Sequence, residues 1–217
     1  MNLVVLGATG RTGRLVVEQA LAAGHTVTAL VRSPQNLTAG NSNLHVIAGL
    51  ATETSDVSRA MEGADAVIST LGGKGSVIAN STQAIVAAAH EAGVNRVVVL
   101  SSWLVERDRM DPVTRLLTGI AMGAVIKDQS AGEQALRRSD LDWTIVYPSM
   151  LTDGPGDGSV EVLPERAKRR MTQKISRADV AAWMVQAAMS VQYSRRSVAI
   201  TDRTVTSKNF SLGGCRA

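Results

Sequence analysis

A glycine-rich loop near the start of the chain constrains the fold more than any other feature. The loop spans residues 7–13, reads GATGRTG, and follows four uninterrupted apolar residues, Leu3 to Leu6. An unbroken apolar run of this length is typical of a parallel strand that is buried on both faces. A helical stretch from Arg14 to Ala23 comes next and stops at Gly24. The sequence therefore predicts a strand, a tight loop and a helix in immediate succession.

This succession is the context in which a G-x-x-G-x-x-G loop binds the diphosphate of a dinucleotide. Its first glycine turns the chain, the second lets the backbone approach the diphosphate, and the third lets the helix pack against the strand. The free N–H groups and the dipole of the helix start favour negative charge there. We expect dinucleotide binding; the alternative is a tight turn without a ligand. The loop residues assigned to this site are Gly7, Thr9, Gly10, Arg11, Thr12 and Gly13.

The end of the second predicted strand indicates which dinucleotide is bound. His25 to Val31 forms this strand, and Arg32 follows it with no acidic residue nearby. A carboxylate at this position accepts hydrogen bonds from a free ribose 2′-hydroxyl, whereas an arginine pairs with a 2′-phosphate. Arg32 therefore predicts NADP(H) in preference to NAD(H). The alternative for this arginine is a solvated surface charge.

Glycines lie between predicted helices and strands throughout the first half of the chain. Gly24, Gly63 and Gly93 each end a predicted helix and are followed at once by a strand. This repetition predicts an α/β protein with a Rossmann-type, doubly wound parallel sheet flanked by helices. We expect a single domain over residues 1–202, with a small C-terminal portion on the substrate side. Residues 203–217 are predicted to be a disordered tail, the alternative being a lid over the site.

Ligands of doubly wound sheets bind beyond the carboxyl ends of the parallel strands. We therefore expect the residues at the predicted strand ends to line a single crevice. Gly72 and Gly73 follow the fourth strand and either leave room for the adenine ribose or form a flexible turn. The strand-end residues assigned to the cofactor are Gly7, Arg32, Leu50, Leu71, Gly72 and Ser101.

The C-terminal half has less regular patterns. We predict an irregular segment over Trp103–Ala124, a helix over Lys127–Arg138 and a final edge strand over Ser197–Thr201. Residues 176–179, SRAD, have the pattern of a capping box, which predicts that another helix begins there.

Composition argues against several classes of function. The net charge of +4 is small and scattered, so nucleic acid is not an expected partner. No apolar run approaches the roughly 20 residues that cross a bilayer, and no signal peptide precedes the first strand, so we expect a cytoplasmic protein without a membrane partner. The single cysteine, Cys215, cannot pair within the chain, and the three histidines lack metal-ligand spacing. We therefore expect no metal.

Four segments together resemble the atypical short-chain dehydrogenase/reductase family. They are the glycine loop, Val31-Arg32, Ser101-Ser102 and residues 141–151, LDWTIVYPSML. Within the family the spacing is most similar to the NAD(P)H-binding group that includes flavin reductases and NmrA-like proteins. The resemblance implies that Lys127 bonds the nicotinamide ribose; the alternative is a lone helix lysine that is exposed to solvent. It also implies that the cofactor is lined by the glycine loop, Arg32, Leu71, Gly72, Pro148, Ser149 and Met150.

One departure from the family decides the expected chemistry. Many short-chain reductases use a Tyr-x-x-x-Lys pair, but Gly123 stands four residues before Lys127, so the acid is missing. Without an acid, hydride transfer to an ordinary ketone would build an unstabilised alkoxide. Flavins, quinones and similar conjugated acceptors spread the arriving charge over their own π-systems.

We therefore hypothesise NADPH-dependent hydride transfer to a flat, conjugated small molecule. Ser102 is the candidate for a hydrogen bond to the acceptor or the nicotinamide, and its alternative is to close the end of the fifth strand. The competing hypothesis is a non-catalytic NADP(H)-binding redox sensor of the NmrA-like type, which needs no acid. A sugar-nucleotide epimerase is a third possibility, although the chain lacks the tyrosine. The oligomeric state is left open.

Overall fold

The structure is a computed structural model that describes residues 1–37, 40–73, 75–165, 167–168 and 172–203. The described residues form ten strands and five α-helices. The strands are β1 (Asn2–Leu6), β2 (Thr26–Val31), β3 (Leu44–Ala48), β4 (Ala66–Ser69), β5 (Arg96–Leu100), β6 (Asp142–Pro148), β7 (Met150–Thr152), β8 (Val160–Val162), β9 (Lys174–Ser176) and β10 (Arg196–Asp202). The helices are α1 (Arg11–Ala22), α2 (Thr54–Met61), α3 (Val77–Ala92), α4 (Pro112–Arg138) and α5 (Arg177–Ala188).

Eight of the strands form one twisted layer in the order β3-β2-β1-β4-β5-β6-β10-β8. Every pair in this sheet is parallel except β10 and β8, which are antiparallel. Strands β7 and β9 pair with each other in a separate parallel sheet. The strand order reverses at β1, where β2 lies on one side and β4 on the other. The predicted Rossmann-type, doubly wound fold is confirmed.

The central strand β1 is buried on both faces, as its apolar run predicts. Leu3 and Val5 belong to the hydrophobic core under α1 and α5, whereas Val4 and Leu6 belong to the core under α2, α3 and α4. All four side chains are at most 1% exposed. Because helices cover both faces, ligands reach the sheet at its edges and strand ends.

The segment predicted to be irregular, Trp103–Ala124, contains most of the first half of a helix, and this prediction was wrong. Two short 3₁₀ turns occupy its start, and α4 begins at Pro112. Asp111 caps that helix, because its side chain accepts a hydrogen bond from the N–H of Thr114 at 2.9 Å. Pro112, at the first helical position, also favours a helix start at this point.

The apolar side chains in the first turns of α4 do not form a buried face. Their spacing in the sequence therefore gave no amphipathic pattern typical of a helix. Leu116, Leu117 and Ile120 are 63%, 61% and 78% exposed. Regular helical backbone is interrupted at Met122, where φ is −130° and ψ is 15°. The turns that follow do pack, since Ile126 and Leu136 are buried. The predicted helix over Lys127–Arg138 is thus the second half of α4.

The predicted edge strand over Ser197–Thr201 lies inside the sheet, so its placement at the edge was wrong. It belongs to β10, which lies between β6 and β8. The three-residue β8 follows a turn-rich segment and is too short to show an alternating pattern. The predicted start of the last helix is confirmed, because the Ser176 hydroxyl accepts the N–H of Asp179 at 2.9 Å and caps α5.

Of the tail predicted over residues 203–217, only Arg203 lies among the described residues. Its N–H donates to the carbonyl of Ser159 at 2.8 Å. Within the described ranges, every helix is too short or too polar to pass through a bilayer.

A buried carboxylate caps α3 from a neighbouring helix. Asp128 of α4 is 7% exposed, and its two oxygens accept the N–H groups of Ile78 and Ala79 at 3.0 Å each. The N-cap residue of α3, Ser76, makes no capping hydrogen bond with its own side chain. Asp128 therefore supplies the missing cap and the negative charge that a helix start favours.

We predict that Asp128→Ala lowers the free energy of unfolding by about 1–3 kcal/mol, because the N–H groups of Ile78 and Ala79 lose their acceptor. Urea unfolding followed by circular dichroism measures this loss. Gln134→Ala, on the exposed side of the same helix, is the matched control and should change stability by less than about 0.5 kcal/mol. Equal effects of the two substitutions would contradict the capping role.

Candidate functional site

A cleft of about 520 Å³ opens at the carboxyl ends of β1 to β4, and we call it the carboxyl-edge cleft. It lies at the point where the strand order reverses, which is where doubly wound sheets bind their ligands. The structure brings seven of the predicted site residues into its lining: Gly7, Thr9, Gly10, Arg32, Leu50, Leu71 and Gly72.

The glycine loop is tight enough that two of its positions exclude a side chain. Gly7 has a φ of +83°, a backbone conformation that other residues rarely adopt. A Cβ atom on Gly13 would lie 2.1 Å from the carbonyl oxygen of Gly7 and 2.7 Å from Oγ1 of Thr70. Helix α1 therefore begins directly against the end of β1.

The start of α1 is open to an anionic ligand. Gly10 is its N-cap, and the first turn has neither a side-chain cap nor an acidic residue. Backbone N–H groups in a first helical turn have no partner within the helix, so they are available to a phosphate. Thr12 and Gly13 are buried behind the loop and do not line the cleft.

Arg32 is the only charged residue among the described residues that line the cleft. It follows β2 directly, is exposed, and has no hydrogen-bond or ion-pair partner within the described part of the chain. An unpaired guanidinium at this point can bind an anionic group without breaking an existing contact.

The other two arginines near the loop are engaged elsewhere. Arg14 donates to the carbonyl oxygens of Thr9 at 3.2 Å and Asn36 at 2.9 Å, which ties the loop to the segment after β2. Arg11 does not line the cleft; its exposed side chain pairs with Asp153 at 3.0 Å. Sequence proximity alone did not distinguish these roles.

Leu50 presents an apolar side chain to the cleft at the end of β3. It is 44% exposed, and its N–H donates to Oδ2 of Asp56 at 2.8 Å. That hydrogen bond, with the guanidinium of Arg59 beside it, lowers the pKa of Asp56 below its ordinary value. The aspartate thereby fixes the backbone at the strand end while the leucine faces the ligand space.

Ser101 is at the end of β5 as predicted, but its side chain faces α4 and does not line the carboxyl-edge cleft. Its hydroxyl donates to Oε1 of Glu133 at 2.6 Å. The phenol of Tyr147 donates to the other oxygen of the same carboxylate at 2.5 Å. Arg137, one helical turn further along α4, contacts the Tyr147 hydroxyl at 3.1 Å. All of these groups except Arg137 are buried.

Sequence reasoning missed this network of Ser101, Glu133, Tyr147 and Arg137. The available signal was a glutamate on the same face of the predicted helix as the buried Leu136. Burial, and then the negative charge of Glu133, raise the pKa of Tyr147 far above its ordinary value, so the phenol keeps its proton.

The remaining predicted residues lie outside the cleft. The Ser102 hydroxyl accepts the N–H of Leu104 at 3.3 Å and starts the 3₁₀ turn after β5. Lys127 is exposed on α4, four residues after Gly123. Pro148 and Ser149 are buried at the end of β6, and Met150 begins β7. Their assignments to cofactor and substrate stay predictions.

No metal centre is evident in the part of the chain that the structure describes. Those residues contain no group of three or more His, Cys, Asp or Glu side chains placed to hold an ion.

Comparisons with known proteins identify the family that this chain matches. Residues 7–190 match the model of a family described as NAD(P)H-binding. The (4-alkanoyl-5-oxo-2,5-dihydrofuran-3-yl)methyl phosphate reductase of Streptomyces griseus is 30% identical over 210 residues, which cover 92% of this chain and 67% of that protein.

Two solved structures have the same fold. The anaerobillin reductase ChuY from Escherichia coli O157:H7 has a TM-score of 0.79 and 23% identity, with 93% of this chain and 97% of that chain covered. A short-chain dehydrogenase/reductase from Veillonella parvula, in complex with NADP, has a TM-score of 0.77 and 18% identity, with 92% and 93% covered.

We predict that Tyr147 stays protonated in the native protein well above pH 10, the ordinary phenol pKa. Because its pKa is higher in the folded than in the unfolded state, its contribution to stability is complete below pH 10 and is lost as the pH rises further. Ultraviolet titration of the native protein and of Tyr147→Phe should give the same ionisation amplitude. The extra tyrosinate of the unsubstituted protein should appear only on unfolding. A larger native amplitude near pH 10 would contradict this.

Proposed function

Because the chain belongs to the NAD(P)H-binding family, we propose that it is an NADPH-dependent oxidoreductase that transfers hydride to a flat, conjugated small molecule. The observation that carries the cofactor assignment is the unpaired Arg32 in a cleft that has no other charged residue among its described lining. The Streptomyces relative is a reductase by name, which supports the reaction class.

The residues of the cleft fit a dinucleotide phosphate. Gly7 and Gly10, which line the cleft without side chains, leave room for a diphosphate, and the uncapped first turn of α1 supplies N–H donors. Leu50 and Gly72 would border the adenosine, and Arg32 would pair with the 2′-phosphate. The NADP bound to the Veillonella neighbour supports the same choice of cofactor.

When bound, the reduced nicotinamide supplies the hydride, and the protein's residues orient the partners. A side-chain acid is lacking at Gly123, where many short-chain reductases carry a tyrosine. The proton of Ser101 is already donated to Glu133, so it is not available to an acceptor. An acceptor with its own π-system suits such a site, because it can hold the arriving charge without a nearby acid.

Ser102 is the proposed donor to the acceptor or the nicotinamide. Its oxygen accepts the N–H of Leu104, which leaves the hydroxyl hydrogen free to donate. Lys127, together with Pro148, Ser149 and Met150, would complete the nicotinamide side, as the family resemblance implies.

The lack of an acid also favours a second candidate, a non-catalytic NADP(H) sensor. Such a protein would bind the two oxidation states with different affinity and report the difference to a partner. Gly123 and the engaged hydroxyl of Ser101 are as compatible with this function as with reduction of a conjugated acceptor.

We predict that Arg32→Ala raises the Kd for NADPH roughly 10- to 100-fold, because a charge-assisted contact to the 2′-phosphate is lost. The Kd for NADH, which lacks that phosphate, should change less than about threefold. Isothermal titration calorimetry at low salt measures both constants. Arg138→Ala removes an exposed arginine outside the cleft and is the matched control. Equal losses for both cofactors in Arg32→Ala would show that this arginine does not contact the 2′-phosphate.

The reaction is tested by stopped-flow oxidation of NADPH in the presence of FMN or a quinone. We expect the protein to oxidise NADPH with at least one of these conjugated acceptors and to leave a simple aliphatic ketone unreduced, since no acid is in place. Ser102→Ala should slow the conjugated reaction by roughly 10-fold through loss of one hydrogen bond. Tight NADPH binding without any oxidation would reject the enzyme and favour the sensor.

A further inference from the structure

A second cavity, of about 480 Å³, lies on the α4 face of the sheet, and we call it the flank cavity. Among the described residues it shares no lining residue with the carboxyl-edge cleft. Its wall combines the segment after β5, the last turns of α4 and the exposed flank of β6, β10 and β8. Neither the family match nor the proposed reaction assigns a role to it.

The charged groups of the flank cavity are predominantly positive. Two glutamates and four arginines line it: Glu106, Glu165, Arg109, Arg137, Arg195 and Arg196. The Nε of Arg109 pairs with Glu106 at 3.0 Å, and Arg137 pairs with the carboxylate of Glu133 at 3.4 Å. Arg195 and Arg196 then stand against Glu165 alone. The excess of arginine over glutamate favours a negatively charged ligand.

Two of these arginines are held in place by contacts that leave further donors free. Arg137 lies over the ring of Trp143, 5.2 Å from its centroid, and donates to the Ser197 hydroxyl at 2.7 Å. Arg195 donates to the carbonyl of Ser139 at 2.8 Å. A guanidinium has five N–H groups, so each retains donors for a ligand.

The third arginine, Arg196, is exposed, and its guanidinium has no partner within the described part of the chain. Its neighbour Arg195 has a φ of +53° and is the one described residue other than glycine with a positive φ. Backbone strain of this kind persists where surrounding contacts impose it, and it is concentrated at functional sites. The strained turn places two consecutive arginines on the wall of the same cavity.

The wall also contains two buried donors that have no acceptor. They are Nε1 of Trp143, whose residue is 6% exposed, and Nη1 of Arg109. Buried donors are almost always satisfied in native proteins, so an unsatisfied pair around one cavity indicates a missing acceptor.

We propose that the flank cavity binds a small molecule through an oxyanion, a phosphate or carboxylate group held by Arg137, Arg195 and Arg196. The planar N–H forks of arginine match the oxygens of both groups. The volume of the cavity lies within the range of small-molecule sites. The proposal does not depend on the proposed reaction.

Calorimetric titration of the full chain with inorganic phosphate, and separately with malonate, tests the site. We expect saturable binding of at least one anion, and the one that binds identifies the group recognised. Arg196→Ala should weaken it by roughly 10-fold, because it removes one charge-assisted contact. The control variant Arg138→Ala removes an exposed arginine outside both the flank cavity and the carboxyl-edge cleft, and it should bind as the unsubstituted protein does.

Trp143 provides a readout that is specific to the cavity. Anion binding should change tryptophan fluorescence, and Trp143→Phe should lose that change. No saturable binding of either anion would overturn the proposal. The proposal would also be overturned if Arg32→Ala weakened anion binding and Arg196→Ala did not. The anion would then occupy the carboxyl-edge cleft.

Discussion

The direct contact between α1 and the glycine loop is the constraint on which the candidate site depends. A Cβ at residue 13 would lie 2.1 Å from the carbonyl oxygen of Gly7, so only glycine allows the helix to start there. The hydroxyl of Thr70 also contacts this point, donating to the carbonyl of Leu6 at 3.2 Å. The end of β4 is thereby joined to the end of β1. The position of the carboxyl-edge cleft follows from this packing, because the first turn of α1 must face the ends of the central strands.

The α4 side of the sheet has a different organisation, centred on the buried carboxylate of Glu133. A buried carboxylate is costly unless hydrogen bonds satisfy it, and here Ser101 and Tyr147 both donate to it. This requirement turns Ser101 towards α4, although the residue ends a parallel strand. A position at a strand end therefore does not by itself bring a side chain into the ligand cleft. The same helix extends this network through Arg137 to the flank cavity.

The arginines show how far local sequence can assign a role. Arg32 lines the carboxyl-edge cleft, and its place directly after a predicted strand was enough to find it. Arg11 lies within the glycine loop itself, yet it pairs with Asp153, which is 142 positions away. Arg137, Arg195 and Arg196 meet at the flank cavity only because β10 inserts beside β6. The sequence shows which positions carry an arginine, but it does not show which group each arginine contacts.

The succession of strands, glycine turns and helices, and with it the doubly wound sheet, follows from the amino-acid sequence by itself. Periodicity and helix-ending glycines are local signals, and the right-handed crossover between parallel strands leaves few topologies. Other features depended on contacts between distant segments: the cap that Asp128 places on α3, 50 positions away, and the bond from Ser101 to Glu133, 32 positions away. The position of β8 at the edge of the sheet, next to β10, also depended on contacts between distant segments. No local pattern records such contacts, because each exists only once packing has brought the two segments together.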